Sequence, residues 1–213
     1  MAHIPYNPLD RTSLGASVSE ALLRRDPVPL RPMAQFVGAG IYAIYYTGDY
    51  EPYSPIAERN RDAEWCAPIY VGKAVPAGAR QGGYGLGESP GTAMYSRLRQ
   101  HADSIDAARN LDLADFHCRY LVVEDIWIPL GESLLIRTFQ PIWNTILDGF
   151  GNHDPGSGRY NQQRSPWDVL HPGRSWAERL QPSARSESAI LAALGGYFSL
   201  ADSATSEPPE GPA

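Results

Sequence analysis

Residues 40–48, GIYAIYYTG, decide how the rest of this chain is read. Ile41, Tyr42, Ile44, Tyr45 and Tyr46 are β-branched or aromatic, and glycines bound the run at both ends, so it reads as a strand. A polar segment with tyrosines and prolines (GDYEPYSPIAERNRDAEW) separates it from a second short strand, APIYVG at 67–72, and the two make a hairpin-like pair. A third strand, FHCRYLVVE, spans 116–124. Helices are expected at about 14–25, at 92–109, from Pro129 to about Phe139, around 175–180 and around 188–198. Between them DPVPLRP reads as a linker, and residues 73–91 and 141–163 read mostly as loop. On the strand evidence alone, the three tyrosines of the opening stretch are core packing.

Composition sets the outer limits. A chain of 213 residues with 43% hydrophobic residues can bury a real core. No run has the length of a membrane span and the first twenty residues lack a signal-peptide pattern, so a soluble, cytoplasmic protein is expected. Cys66 and Cys118 lack the spacing of a zinc site or a disulfide framework and read as small buried hydrophobes. The net charge of −6 argues mildly against a polyanion partner. Yet from Tyr70 to His101 the cations Lys73, Arg80, Arg97 and Arg99 face one acid, Glu88, and much acidity lies after Arg185. Of 18 basic residues, 17 are arginine, and Lys73 is the exception. A compact ammonium at that one place suggests either a specific donor or a leftover surface lysine.

Two helices carry the remaining signals. In TAMYSRLRQHADSIDAARN (92–110), Met94, Leu98 and Ile105 form the apolar stripe, and Arg97 and His101 project together along its edge. In GESLLIRTFQP (131–141), Glu132 falls in the stripe drawn by Leu135, Ile136 and Phe139. A carboxylate on a buried face requires a cation, either a basic side chain or a metal. The GGYGLG segment lacks a Gly-Lys-Ser/Thr ending and a strand-to-helix setting, so it is no phosphate-binding P-loop and reads as a flexible segment near a groove.

GIY at 40–42, YVG at 70–72, an arginine on the next helix, a glutamate on the one after and Asn144 beyond it resemble, in order and element type, the GIY-YIG nuclease superfamily. YVGKAVPAG, NLDLADF, DGFGNHDPGSGRY and WDVLHPGRSWAE extend the resemblance, to about residue 182, toward its type II restriction-endonuclease branch that reads the palindrome CCGCGG. Val71 replaces the isoleucine of the family name, the connection between the two motifs is long, and GGYGLGESPGTAM diverges locally.

The resemblance implies an α+β fold, a small antiparallel central sheet flanked by helices. Residues 36–145 would be the catalytic domain, 1–35 a helical arm and linker, 146–200 a DNA-binding and dimer extension, and 201–213 a disordered tail. It implies Mg²⁺-dependent hydrolysis of double-stranded DNA, with Mn²⁺ able to substitute, by a homodimer that has a companion DNA methyltransferase. Its catalytic set would be Tyr42, Tyr70, Lys73, Arg97, His101, Glu132 and Asn144, with Glu132 as metal ligand. Tyr42 would act as base only if Lys73 or His101 favoured its phenolate, or would orient an already activated water. DNA contacts are expected from Arg80, Arg159, Gln162, Gln163, Arg164, His171 and Arg174, since arginine grips guanine O6 and N7. A structure-specific repair or recombination nuclease and a noncatalytic DNA-binding domain are the alternatives.

Overall fold

The computed structural model describes residues 7, 9–61, 64–76 and 89–206, with side chains as far as residue 200. Strands β1 (Val28–Pro29), β2 (Gly40–Tyr46), β3 (Pro68–Ala74) and β4 (Phe116–Val122) form one antiparallel sheet in the order β1-β4-β2-β3. All seven residues of β2 are buried. A strand covered on both faces has no polar side to show, which is why this stretch is apolar and aromatic without alternation.

Alternation reappears in what each residue meets. Tyr42, Ile44 and Tyr46 pack with Phe116 and Cys118 beneath Met94, Leu98 and Ile105 of α3 (Ala93–Ala107). Ile41, Ala43 and Tyr45 face the other way, with Val71 and Leu121, against Leu135 of α4 (Ile128–Phe139) and Leu22 of α1 (Arg11–Leu23). This is the α+β architecture expected from the sequence. Gly131 lets α4 lie close on the sheet, because a Cβ there would meet Val18 at 2.8 Å and Ile41 at 2.9 Å. The next residue, Glu132, is thereby brought to the strands.

Several elements depart from expectation. Residues 28–29, inside the proline-rich linker, pair with β4 as β1. The polar insertion contains α2 (Ser54–Arg61), which buries Ile56, Ala57 and Asn60. The Asn60 carboxamide ties the end of β2 to the start of β3, donating to the carbonyls of Tyr46 (3.0 Å) and Ala67 (2.9 Å) and accepting from Ala67 N–H (3.0 Å). Segment 141–163 holds α5 (Ile142–Thr145), α6 (Pro166–Leu170) follows it, and the helix expected at 175–180 is a single 3₁₀ turn, Ala177–Arg179. The last helix, α7 (Glu187–Ser206), continues into the stretch expected to be disordered, and residues 207–213 lie outside the described residues.

The core beneath α3 is rich in aromatic rings and draws on distant segments. Phe116, Trp143, Phe150 and Trp167 pack in one cluster with Leu30, Ile190 and Leu194. Cys118 is fully buried as expected, and its apolar surroundings push the thiol pKa to about 12. Cys66 is only half-buried, with its thiol donating to the Arg59 carbonyl. Among the described residues, no helix is long and apolar enough to cross a membrane.

Candidate active site

The hairpin β2–β3 sets Tyr42 opposite Gly72 and Ile44 opposite Tyr70. Residues paired across a ladder share a face, so both phenols project beneath α3. The Tyr42 hydroxyl lies over Gly72, where a Cβ would collide with it. Its oxygen is 2.6 Å from Nε2 of His101, a buried residue at the centre of the α3 stripe. Tyr70 meets the His101 ring edge-on at 5.2 Å.

Burial sets the protonation of this pair. It drives the Tyr42 pKa well above the ordinary 10, the Tyr70 phenol adds to the rise, and the Arg97 guanidinium opposes it. Burial, reinforced by the positive charge of Arg97, holds His101 well below its ordinary 6.5. At neutral pH a neutral phenol therefore faces a neutral imidazole across one short hydrogen bond. Lys73 is not placed to favour a Tyr42 phenolate: it pairs with Ile41 on the opposite face, and Arg97 is the cation that bears on the phenol.

Arg97, four residues before His101, is held from outside its helix. Its Nη1 donates to Nε2 of His153 and its Nη2 to the Gly151 carbonyl at 3.2 Å. Phe150 pins this loop by stacking on His101, with centroids 4.5 Å apart, and by meeting Tyr70 edge-on at 4.9 Å. Sequence reasoning missed Phe150 and His153 as site residues. Their one signal was an aromatic and a histidine within a glycine-rich loop, which has no periodicity to say where it folds.

On the other face, at the outermost strand, Lys73 Nζ donates to Glu132 Oε2 at 2.7 Å. The Glu132 side chain is 17% exposed and that of Lys73 41%. The carboxylate on the stripe of α4 thus has its basic partner. Asn144 grips the same strand: its Oδ1 accepts from Val71 N–H (2.8 Å) and its Nδ2 donates to the Val71 carbonyl (2.9 Å). That clamp fixes the backbone between Tyr70 and Gly72.

Residues 34–198 match the family model described as the Eco29kI GIY-YIG domain. The chain belongs to that family. It is a restriction-endonuclease family of GIY-YIG nucleases, and the match covers all of β2, β3 and β4, α3, α4 and the loop that carries His153. None of the curated proteins compared with the chain matches it.

In this GIY-YIG domain the residues expected to touch DNA differ in exposure. Arg159, Gln162 and Gln163 are exposed. Arg164 is half-buried, its guanidinium donating to the carbonyls of Ala177 (3.1 Å) and Glu178 (3.4 Å). Arg174 and His171 are corrected, for they are buried and fully engaged. Arg174 is ion-paired with Asp168 at 2.7 Å and donates to the carbonyls of Gly149, Phe150 and Asn152, which makes it the internal brace of the loop below Arg97. His171 bonds Tyr53 and Asn110. Arg80 lies outside the described residues.

Proposed function

We propose that the protein is a type II restriction endonuclease, dependent on Mg²⁺, that hydrolyses double-stranded DNA at a GC-rich palindrome. The observation that carries this reading is the buried Tyr42–His101 pair, with Arg97 beside it, in a chain of a restriction-endonuclease family. Phosphodiester hydrolysis requires removal of a proton from water, balance of charge on the phosphate and stabilisation of the leaving oxygen.

Tyr42 holds no standing negative charge at neutral pH, because its pKa is raised. It accepts the proton of water only as it passes its own to Nε2 of His101, which is neutral and free to receive it at that pH. Arg97 balances phosphate charge, and Tyr70 lines the same face. Glu132, whose side chain is partly exposed, is the residue that would hold Mg²⁺, an ion that keeps several waters and takes one or two carboxylates with a substrate phosphate. When bound, the ion supplies Lewis-acid charge to the phosphate and the leaving oxygen. Lys73 and Asn144 hold Glu132 and the β3 backbone in register.

A palindromic site implies a two-fold homodimer in which each subunit cuts one strand. Exposed Arg159 and Gln162 support base or backbone contact on one side, and a companion methyltransferase would protect host DNA. The test is digestion of DNA containing CCGCGG with Mg²⁺, with Mn²⁺ and with chelator. Discrete fragments in both metals and none with chelator are expected. Glu132→Gln should abolish cutting and keep specific binding in a gel-shift assay. Cutting in chelator, or cutting confined to branched DNA, overturns the reading.

A further inference from the structure

We propose that His153 is a positioning residue for the nuclease, holding the Arg97 guanidinium in its working orientation through Nε2. The inference rests on the nuclease reading above. Three observations carry it. First, Arg97 Nη1 donates to His153 Nε2, and Arg97 Nη2 donates to the Gly151 carbonyl two residues earlier, so one short loop grips the guanidinium at both of its ends. A planar fork gripped at two nitrogens has its plane fixed.

Second, the loop is a built support. Arg174, itself buried and paired with Asp168, donates to the carbonyls of Gly149 (3.0 Å), Phe150 (3.0 Å) and Asn152 (3.2 Å), which spaces Gly151 and His153 on either side of a braced residue. Phe150 is buried against His101, Tyr70 and Trp143. Third, the loop is fitted to the site with no slack: a Cβ at Gly151 would lie 3.0 Å from Arg97 Nη2 and 3.1 Å from the Tyr70 hydroxyl. A guanidinium free to rotate would leave the phosphate's charge unbalanced at the moment of reaction, and small misplacements cost rate rather than binding.

The bond also specifies a tautomer. An imidazole that accepts at Nε2 carries its proton on Nδ1. Nitrogen NMR of the ¹⁵N-histidine-labelled protein without DNA should therefore show His153 as the Nδ1–H form, and Arg97→Ala should change that signal. An Nε2–H form in the wild type overturns the proposal without reference to cleavage.

Kinetics supply the second arm. His153→Ala should lower the single-turnover cleavage rate about 100-fold, with the half-saturating DNA concentration changed by less than about threefold. His153→Gln, which keeps a side-chain acceptor, should restore the rate to within about threefold of wild type. In an Arg97→Lys background, His153→Ala should cost less than about twofold more, because the residue it serves is gone. Full activity of His153→Ala, a loss confined to DNA affinity, failure of a folded His153→Gln to recover, or an equal further loss in the Arg97→Lys background overturns the proposal. A wild-type protein that cuts no DNA in Mg²⁺ overturns the nuclease reading instead, and the tautomer measurement still decides whether His153 holds Arg97.

Discussion

The molecule contains two buried tyrosine–histidine pairs of almost the same length, set in different surroundings. Tyr42 and His101 are 2.6 Å apart beneath α3, and Tyr53 and His171 are 2.5 Å apart nearby in the same core. Both phenols are pushed up and both imidazoles down by burial, His171 to about 3. In the second pair every proton has a fixed address. Trp143 Nε1, which can only donate, gives its hydrogen to the Tyr53 oxygen at 2.9 Å, so Tyr53 must donate to His171 Nε2. His171 Nδ1 in turn donates to the Asn110 Oδ1 at 3.0 Å, since the Asn110 Nδ2 is spent on the Leu170 carbonyl. The first pair is flanked by rings, with Phe150 stacked on His101 and Tyr70 at its edge, and the cation that bears on its phenol is Arg97. Geometry of one hydrogen bond does not distinguish chemistry from structure. What surrounds the pair does.

The widest separation between the pairs is expected from Tyr42→Phe. It keeps the ring and removes the oxygen proposed to relay the proton, so single-turnover cleavage should fall about 10³-fold while the thermal unfolding curve hardly moves. Cleavage at the wild-type rate would make the first pair structural like the second. The mirror variant, Tyr53→Phe, should cut normally. It leaves the Trp143 N–H and His171 Nε2 buried without a partner, a loss of about 1–3 kcal/mol that urea titration would measure. A loss of cleavage at unchanged stability would break the contrast from the other side.

The smallest effect is in the pH dependence of stability. An imidazole held neutral in the folded state binds a proton more readily in the unfolded chain, at pH below the ordinary 6.5. Stability should therefore be level above about pH 6.5 and decline below it, by up to about 1.4 kcal/mol per pH unit for each such histidine. For His171 the decline continues toward pH 3. In His171→Gln the slope should be shallower, although the variant starts from a lower stability at neutral pH. An unchanged slope would mean that His171 does not carry the acid sensitivity.

Much of this arrangement was legible in the sequence, for identifiable reasons. The β2 stretch announced a strand because its residue types and bounding glycines agree, and α3 and α4 announced themselves by their stripes. Glu132, set on the apolar stripe of α4, called for a cation, and Lys73 answers it. Strand parity sets Lys73 on the face opposite Tyr42, which the idea of a Lys73-tuned phenol overlooked. Other features could not be read. The loop from Gly149 to His153 has no period, and its place is set by Arg174 more than twenty residues on. Arg174 and His171 looked like surface residues because they are polar, and only their partners Asp168, Tyr53 and Asn110 make burial tolerable. The helix α2 was hidden by its charges and proline.

Asn144 has a consequence beyond the site. β3 is the last strand of the sheet, and such a strand ordinarily offers a row of unpaired backbone groups on which a foreign strand can grow. At Val71, the middle of that row, both the N–H and the carbonyl are already occupied by the two ends of one carboxamide. The side chain acts as a one-residue imitation of a fifth strand and terminates the ladder there. A foreign strand that paired along β3, the strand that carries Tyr70 and Lys73, would have to displace this carboxamide at Val71.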